Sequence, residues 1–449
     1  MEEWWIEPLR TAFAGRAVVL AGAMGSSWTE HIGLLRSVGV SDLLVVATEG
    51  RGAGPLPDTP VVIVEPPAGL SAMERIHDAD RTLHDPTPEM VHAIERFDPR
   101  GEAIVITTFL STAAAVADRP TFSHRRPEWV ALEDKVVVDA FWDHAGIERQ
   151  PSVVVALDTA AHAAATIDRG DGTVWAADAR AGFHGGASQT YWVHDDTSRT
   201  EALSGLRSVC DSVRVMPFLE GIPCSIHGIV LPDGVAVLRP VEMVTLRRGH
   251  RFVYAGCATY WDPDPDVRAQ MRDVAGRAGA QLRDDVDFRG TFTVDGVVTA
   301  DGFWPTELNP RFGAGIMTIA RGAGIPMVLV NDLIVAGHDI GRTAADLEAD
   351  VVAHGDERRG GGTWMGGLNV DEQLESRAAQ CRDAIWSWAE PGDPIDDRVT
   401  AGAGFVRCLY DQASTPIGPP TGPRAAAFWD FVASEFAIDT AELTCARPA

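Results

Sequence analysis

The run Thr306-Glu307-Leu308-Asn309-Pro310-Arg311 sets a carboxylate, an amide and a guanidinium at every second position. Alternate side chains of a strand share a face, so Glu307 and Asn309 point the same way. A carboxylate oxygen beside an amide oxygen makes a hard-oxygen site suited to Mg²⁺. Arg311 keeps the same parity, although Pro310 ends the regular strand. Its guanidinium can hold a phosphate or carboxylate oxygen. Upstream, Asp295 closes a strand-like Arg289–Val294, and a turn at Asp301-Gly302 returns the chain through Phe303–Leu308. Such a hairpin carries Asp295 back toward Glu307. Taken alone, Asp295 reads as a turn residue beside Gly296; the cluster of four reads as a site.

Lysine and arginine total 38, yet Lys135 is the single lysine. A codon bias accounts for the arginines but not for the one lysine that remains. Lysine is a compact point charge suited to phosphate, so Lys135 reads either as a residue kept for chemistry or as an accidental survivor. The loop from Asp178 to Thr190 contains Gly182, Gly185, Gly186 and Ser188. Small residues there let backbone N–H groups approach oxygen atoms. Arg247 and Arg248 precede Phe252-Val-Tyr-Ala-Gly256 and read either as a site cation or as a solvated strand end.

These residues need elements to hold them. Apolar runs Ala17–Ala21, Leu43–Ala47, Val61–Val64 and Ala103–Thr107 alternate with helical segments, which predicts a parallel α/β layer. The stretch Arg119–Pro127 marks a boundary. Beyond it, Asp134 is placed to cap a helix through Val136, Val137, Ala140 and Phe141. Strand-like Ser152–Leu157, a helix over Ala160–Ile167 and strand-like Thr173–Ala177 follow. Several strands then run to Asn309, interrupted by a helix over Pro265–Leu282, giving an α+β region with a largely antiparallel sheet. The tail reads as a turn at Gly360-Gly-Gly-Thr, a helix near Asp371–Trp388, a strand near Gly404–Tyr410 and a last helix after a Pro-rich loop.

The segment Gly290–Arg311 resembles the metal-binding hairpin of ATP-grasp enzymes, which place an acidic residue on one strand and Glu-x-Asn-Pro-Arg on the next. The resemblance implies ATP and two Mg²⁺ ions, with Mn²⁺ as a substitute metal, held through Asp295, Glu307 and Asn309. It implies that Arg311 steadies a phosphorylated intermediate. Asp134-Lys135 followed by Ala145-Gly-Ile147 resembles the first nucleotide-binding segment of the family, implying that Lys135 meets the phosphates. Met216-Pro-Phe-Leu-Glu-Gly-Ile-Pro-Cys-Ser225 resembles the hinge strand. Met216, Phe218 and Leu219 are then implied at the base and Glu220 at the ribose. Gly182–Ser188 sits where the family's flap covers the phosphates, with Gly185, Gly186 and Ser188 as contacts. Arg247 stands where a cation meets the acyl phosphate or the triphosphate. Two positions depart from the pattern. Thr173–Asp178 lacks the second lysine of many relatives, leaving Arg180 as a substitute, and Pro223 stands where many have Glu.

By this resemblance, residues 1–127 form a leading α/β domain, 128–340 a two-lobed ATP-grasp domain (128–212 and 213–340), and 341–449 a smaller C-terminal α+β domain. The implied activity is ATP-dependent joining of a carboxylate to an amine through an acyl phosphate, with release of ADP and phosphate. The pattern also resembles pheganomycin-type natural-product peptide ligases of secondary metabolism, implying an amino-acid-like acid, an amino acid or peptide acceptor, and possible homodimers. An ATP-grasp kinase and a non-catalytic ATP-binding module remain open, the latter because the second lysine is missing. An oxidoreductase is the further rival, resting on Gly22-Ala-Met-Gly25 after a strand, but the full glycine spacing of a dinucleotide fold is absent.

Composition narrows the classes. A net charge of -26 repels nucleic acid and anionic membranes. No apolar run approaches the roughly 18–20 residues of a membrane span, and the acidic N-terminus lacks a secretory pattern. The six dispersed cysteines fit neither a zinc site nor a disulfide framework and read as reduced thiols in a cytoplasm.

Overall fold

The computed structural model describes residues 3–447 except 53, 181, 183, 371–373, 391, 394–396, 403 and 441. The chain forms two compact units. The first comprises Met1–Pro127 and Gly324–Thr343. Its sheet runs Val61–Ile63, Asp42–Ala47, Ala17–Ala21, Ile104–Thr107, with every neighbouring pair parallel. Val19, Val46 and Val105 are fully buried, as strands covered on both faces require. Leu83, Met90 and Ile94 cover them from helices Ala72–His84 and Pro88–Phe97. Ser71 and Glu74 form a capping box on the first helix, and Thr87 caps the second ahead of Pro88. Helix Met327–Val335 belongs to this unit and buries Asp332. Ser123 Oγ donates to Asp332 Oδ1 at 2.7 Å, while Oδ2 has no hydrogen-bond partner. Burial pushes this carboxyl up to about 7.

The second unit comprises Glu128–Ala323 and Ala344–Ala449. Among the described residues, one sheet of fifteen strands runs through it. Strands Val153–Ala156, Thr173–Ala177, Thr190–Val193 and Ser212–Pro217 form one part, backed by a core of Trp175, Ala202, Leu206, Val213 and Val215. The longer path begins at the hairpin Gly290–Thr299/Gly302–Asn309 and continues through Ile222–Leu231, Val241–Arg248 and Arg251–Ala258. It then runs into Gly361–Gly366, Phe405–Leu409, Asp397–Gly402, Leu374–Arg382 and Ile385–Trp388. Close approach requires glycine at the junction: a Cβ on Gly362 would strike the carbonyl of Cys408. No single helix among the described residues is long and apolar enough to cross a membrane.

Several local expectations change. The segment expected as a helix near Asp371–Trp388 is a pair of strands, Leu374–Arg382 and Ile385–Trp388, and Asp371 itself lies outside the described residues. Helix formers such as Glu375 and Ala378 are overruled by pairing with Asp397–Gly402 and by burial of Ala379 and Trp386. Gly361 opens a strand where a turn was expected. The helix after Lys135 starts at Val138; the Asp134 carboxylate instead accepts from Val136 N at 3.1 Å. Asp295 lies within the strand Gly290–Thr299, not at its end.

Candidate active site

The hairpin register sets Asp295 directly opposite Glu307 and Thr293 opposite Asn309. A β-bulge between Asp295 and Gly296 re-aims the chain at this point. Gly296 is required there, since a Cβ would press on Trp304 O and the Phe303 ring. Asn309 Nδ2 donates to Asp295 Oδ2 at 2.9 Å, and Ser225 Oγ from the next strand donates to Oδ1 at 2.5 Å. Arg311 donates to Asn309 Oδ1 at 3.0 Å and pairs with Glu133 at 3.3 Å. Lys135 Nζ lies 3.0 Å from Glu307 Oε1 and 3.4 Å from His184 O.

Burial, then the neighbouring Glu307, raises the Asp295 carboxyl far above the usual carboxylate range; Ser225, Arg311 and Lys135 offset only part of this. Glu307 moves the other way. Burial opposes its ionisation, but the charge and hydrogen bond of Lys135 outweigh that and hold it below its ordinary value. Burial and Lys135 together keep the His184 ring below its usual range. Two carboxyls pushed in opposite directions beside two cations make this cluster the candidate site of the chain.

The loop bearing Gly185, Gly186 and Ser188 lies against this cluster. Its His184 carbonyl receives Lys135, and a Cβ on Gly185 would stand 3.8 Å from Arg311 Nη2. Gly186 and Ala187 take the left-handed conformation, Ser188 N bonds Gly185 O, and Arg251 donates to Ser188 O at 3.0 Å. Phe183, within the loop's expected run, lies outside the described residues.

Met216 ends up buried on the strand Ser212–Pro217. Phe218 stacks on Trp192 with centroids 4.2 Å apart, and Leu219 is half-buried. Glu220 binds Arg247 through both carboxylate oxygens, at 2.7 and 3.0 Å. The Arg247 guanidinium sits 5.6 Å from the Trp192 ring centroid and 5.5 Å from that of Phe218. Arg247 is thus brought to Glu220, apart from the contacts made by Lys135 and Arg311. Arg248 pairs with exposed Asp439. Arg180 reaches Asp211 and Ser208 O, whereas Arg214 is the buried cation of this strand, on Asp139 and Thr306 O.

Ser225, Glu133 and His184 join the site without having been singled out from the sequence. Ser225 sits 70 positions from Asp295, so only strand pairing reveals it. A signal did exist in Gly313-Ala-Gly315 after Arg311. Cβ atoms there would run into Thr293 and into buried His227, whose Nδ1 meets Thr293 Oγ1 at 2.8 Å. Among the described residues no cluster of three His, Cys, Asp or Glu side chains forms a metal site; the third oxygen here is an amide.

No protein-family model matches the chain, and no curated protein matches it. Solved structures do. Rhizobium etli pyruvate carboxylase is similar with a TM-score of 0.56 at 16% identity over 94% of this chain, which spans only 37% of that longer protein. The biotin carboxylase domain of Hydrogenobacter thermophilus 2-oxoglutarate carboxylase, in complex with MgADP and bicarbonate, is similar at 0.56 and 12% identity, covering 90% of this chain and 86% of that one. The L-amino acid ligase of Bacillus licheniformis is similar at 0.50 and 13%, covering 88% and 94%. At these identities the likeness is one of fold: the multidomain α/β architecture, with a parallel layer and a large antiparallel sheet, expected from the ATP-grasp resemblance.

Proposed function

We propose that this chain is a Mg-ATP-dependent ligase that joins an amino-acid-like carboxylate to the amine of an amino acid or peptide. The observation that carries this reading is the opposed pair Asp295 and Glu307, flanked by Asn309, Lys135 and Arg311. Two carboxylates and an amide oxygen make a hard-oxygen donor set, and a dication would offset the burial and the repulsion from Glu307 that keep Asp295 from ionising. The residues therefore fit Mg²⁺, which would be held by Asp295, Glu307 and Asn309. When bound, it supplies charge neutralisation for a triphosphate. The similar fold in a domain that holds MgADP and in an L-amino acid ligase supports the same reading.

The acid's own negative charge repels an amine, and oxide is a poor leaving group. Transfer of the γ-phosphoryl group to a carboxylate oxygen corrects both. The amine nitrogen then attacks the carbonyl carbon, the bond to the phosphate oxygen breaks, and a proton leaves the nitrogen. In that sequence Lys135 meets phosphate oxygens as a point charge. Arg311 stabilises the oxyanion of the tetrahedral intermediate. The loop through Gly185, Gly186 and Ser188 shields the acyl phosphate from water. Met216, Phe218 and Leu219 border the base. We assign residues 1–127 to a leading domain, 128–212 and 213–340 to the two lobes, although Gly324–Thr343 pack within the first unit, and 341–449 to a domain that shapes the acceptor site.

The test is nucleotide turnover with pooled amino acids and short peptides, separating ADP from AMP. ADP and phosphate formed only when acid and amine are both present support the ligase. AMP and pyrophosphate would replace the acyl phosphate with an adenylate. Turnover without an amine, leaving a stable phosphoester, would make the protein a kinase.

A further inference from the structure

Beyond its short pairing with Ile222–Leu231 at Glu242 and Val241, the strand Val241–Arg248 leaves one edge open. The chain's own C-terminal segment fills it. Arg247 and Thr444 exchange both backbone hydrogen bonds, at 2.8 and 2.9 Å, and buried Leu443 anchors the segment on the core beneath. From there the segment reaches the carboxylate of Glu220. Arg247 Nη2 bridges Glu220 Oε1 and the Cys445 carbonyl, at 2.7 and 3.3 Å. The backbone N–H of Arg447 donates to the same Oε1 at 2.8 Å. Oε1 thus carries two donors and Oε2 one, in a carboxylate with about four lone-pair sites. A ribose diol brings two O–H donors of its own, and a carboxylate so engaged cannot receive both.

We propose that residues 444–447 are an intramolecular competitor of the nucleotide at Glu220: a ribose engages this carboxylate only when the segment lifts from it. The inference rests on the nucleotide-binding reading above. Arg247 then acts as a positioning residue, holding Glu220 between Trp192, Phe218 and the segment. The device makes nucleotide affinity depend on whatever holds or frees residues 444–447.

The experiment measures binding of a non-hydrolysable Mg-ATP analogue, and of its 2′,3′-dideoxy form, by calorimetry. It compares the full chain, a chain ending at Leu443 and the variant Arg447→Pro, which removes the donating N–H without shortening the chain. Freeing a hydrogen bond to a charged group is expected to tighten the ribose analogue about tenfold, with the dideoxy form unchanged. Equal or weaker binding by both variants overturns the competition while leaving the nucleotide site standing. Equal tightening of both analogues overturns it too, because the ribose hydroxyls would then play no part. Absence of nucleotide binding by all three chains overturns the proposed function and this inference with it.

Discussion

Glu307 and Glu220 each face a cation, yet their surroundings are opposite. Glu220 accepts from both ends of Arg247 and from a backbone N–H, and its ionised form is favoured although burial opposes it. Glu307 shares Lys135 with a peptide carbonyl and faces Asp295, whose ionisation it helps to suppress. One region is closed by the chain itself. The other sets two carboxyls of unequal ionisation among Lys135, Arg311 and Asn309, an arrangement that the proposed phosphate–metal site would use.

The contrast is broken most directly at the hairpin. Glu307→Ala should lower ATP turnover by at least about a thousandfold, because the loss falls on charge neutralisation in the transition state. Its melting temperature should stay within a few degrees of the parent. Wild-type turnover in that variant would falsify the assignment of the pair. Lys135→Met comes next. It leaves half-buried Glu307 beside Asp295 without its ammonium, and calorimetric unfolding should show a loss of about 1–3 kcal/mol. Turnover should fall by about a hundredfold. Lys135→Arg should not restore it, since a planar fork replaces a compact charge.

Asp332 sharpens the comparison from outside the site, as a buried carboxyl held by the single donor Ser123. Its folded value of about 7 lies above the unfolded value of about 4. Between those limits the folded state holds a proton that the unfolded state has released, so stability falls as pH rises through the window. Asp332→Asn should remove that slope and gain about 1–3 kcal/mol over the parent at pH 8, measured by denaturant melts at pH 5 and pH 8. Turnover per folded molecule should be unchanged. A loss of turnover would mean that burial alone does not distinguish this carboxyl from Asp295. The smallest effect belongs to Arg248→Ala. Its pair with Asp439 is exposed, and stability should change by less than about 0.5 kcal/mol.

The hairpin was legible because its logic is local. Parity along Glu307, Asn309 and Arg311 and a single turn bring Asp295 across from Glu307, whatever the rest of the chain does. The parallel layer was legible for a similar reason, since strands buried on both faces read as unbroken apolar runs. The partners of Glu220 were not. Arg247 lies 27 positions away and Arg447 lies 227 away, so neither spacing nor periodicity joins them. The strands at Leu374–Arg382 and Ile385–Trp388 failed for another reason. The residues of Leu374–Arg382 favour a helix locally, and only pairing in a sheet assembled from distant segments decides against it.

The single lysine has a chemical consequence. An acyl phosphate is an acylating reagent, and amines are what it acylates; guanidinium groups, protonated at any working pH, are poor nucleophiles. Lys135 is 6% exposed, and its ammonium is tied to Glu307 and a peptide carbonyl. Every other basic side chain on this protein is an arginine or a histidine. If the proposed ligase chemistry holds, a stray activated acid would meet no lysine side chain at the surface, and the protein's own coat would be largely immune to it.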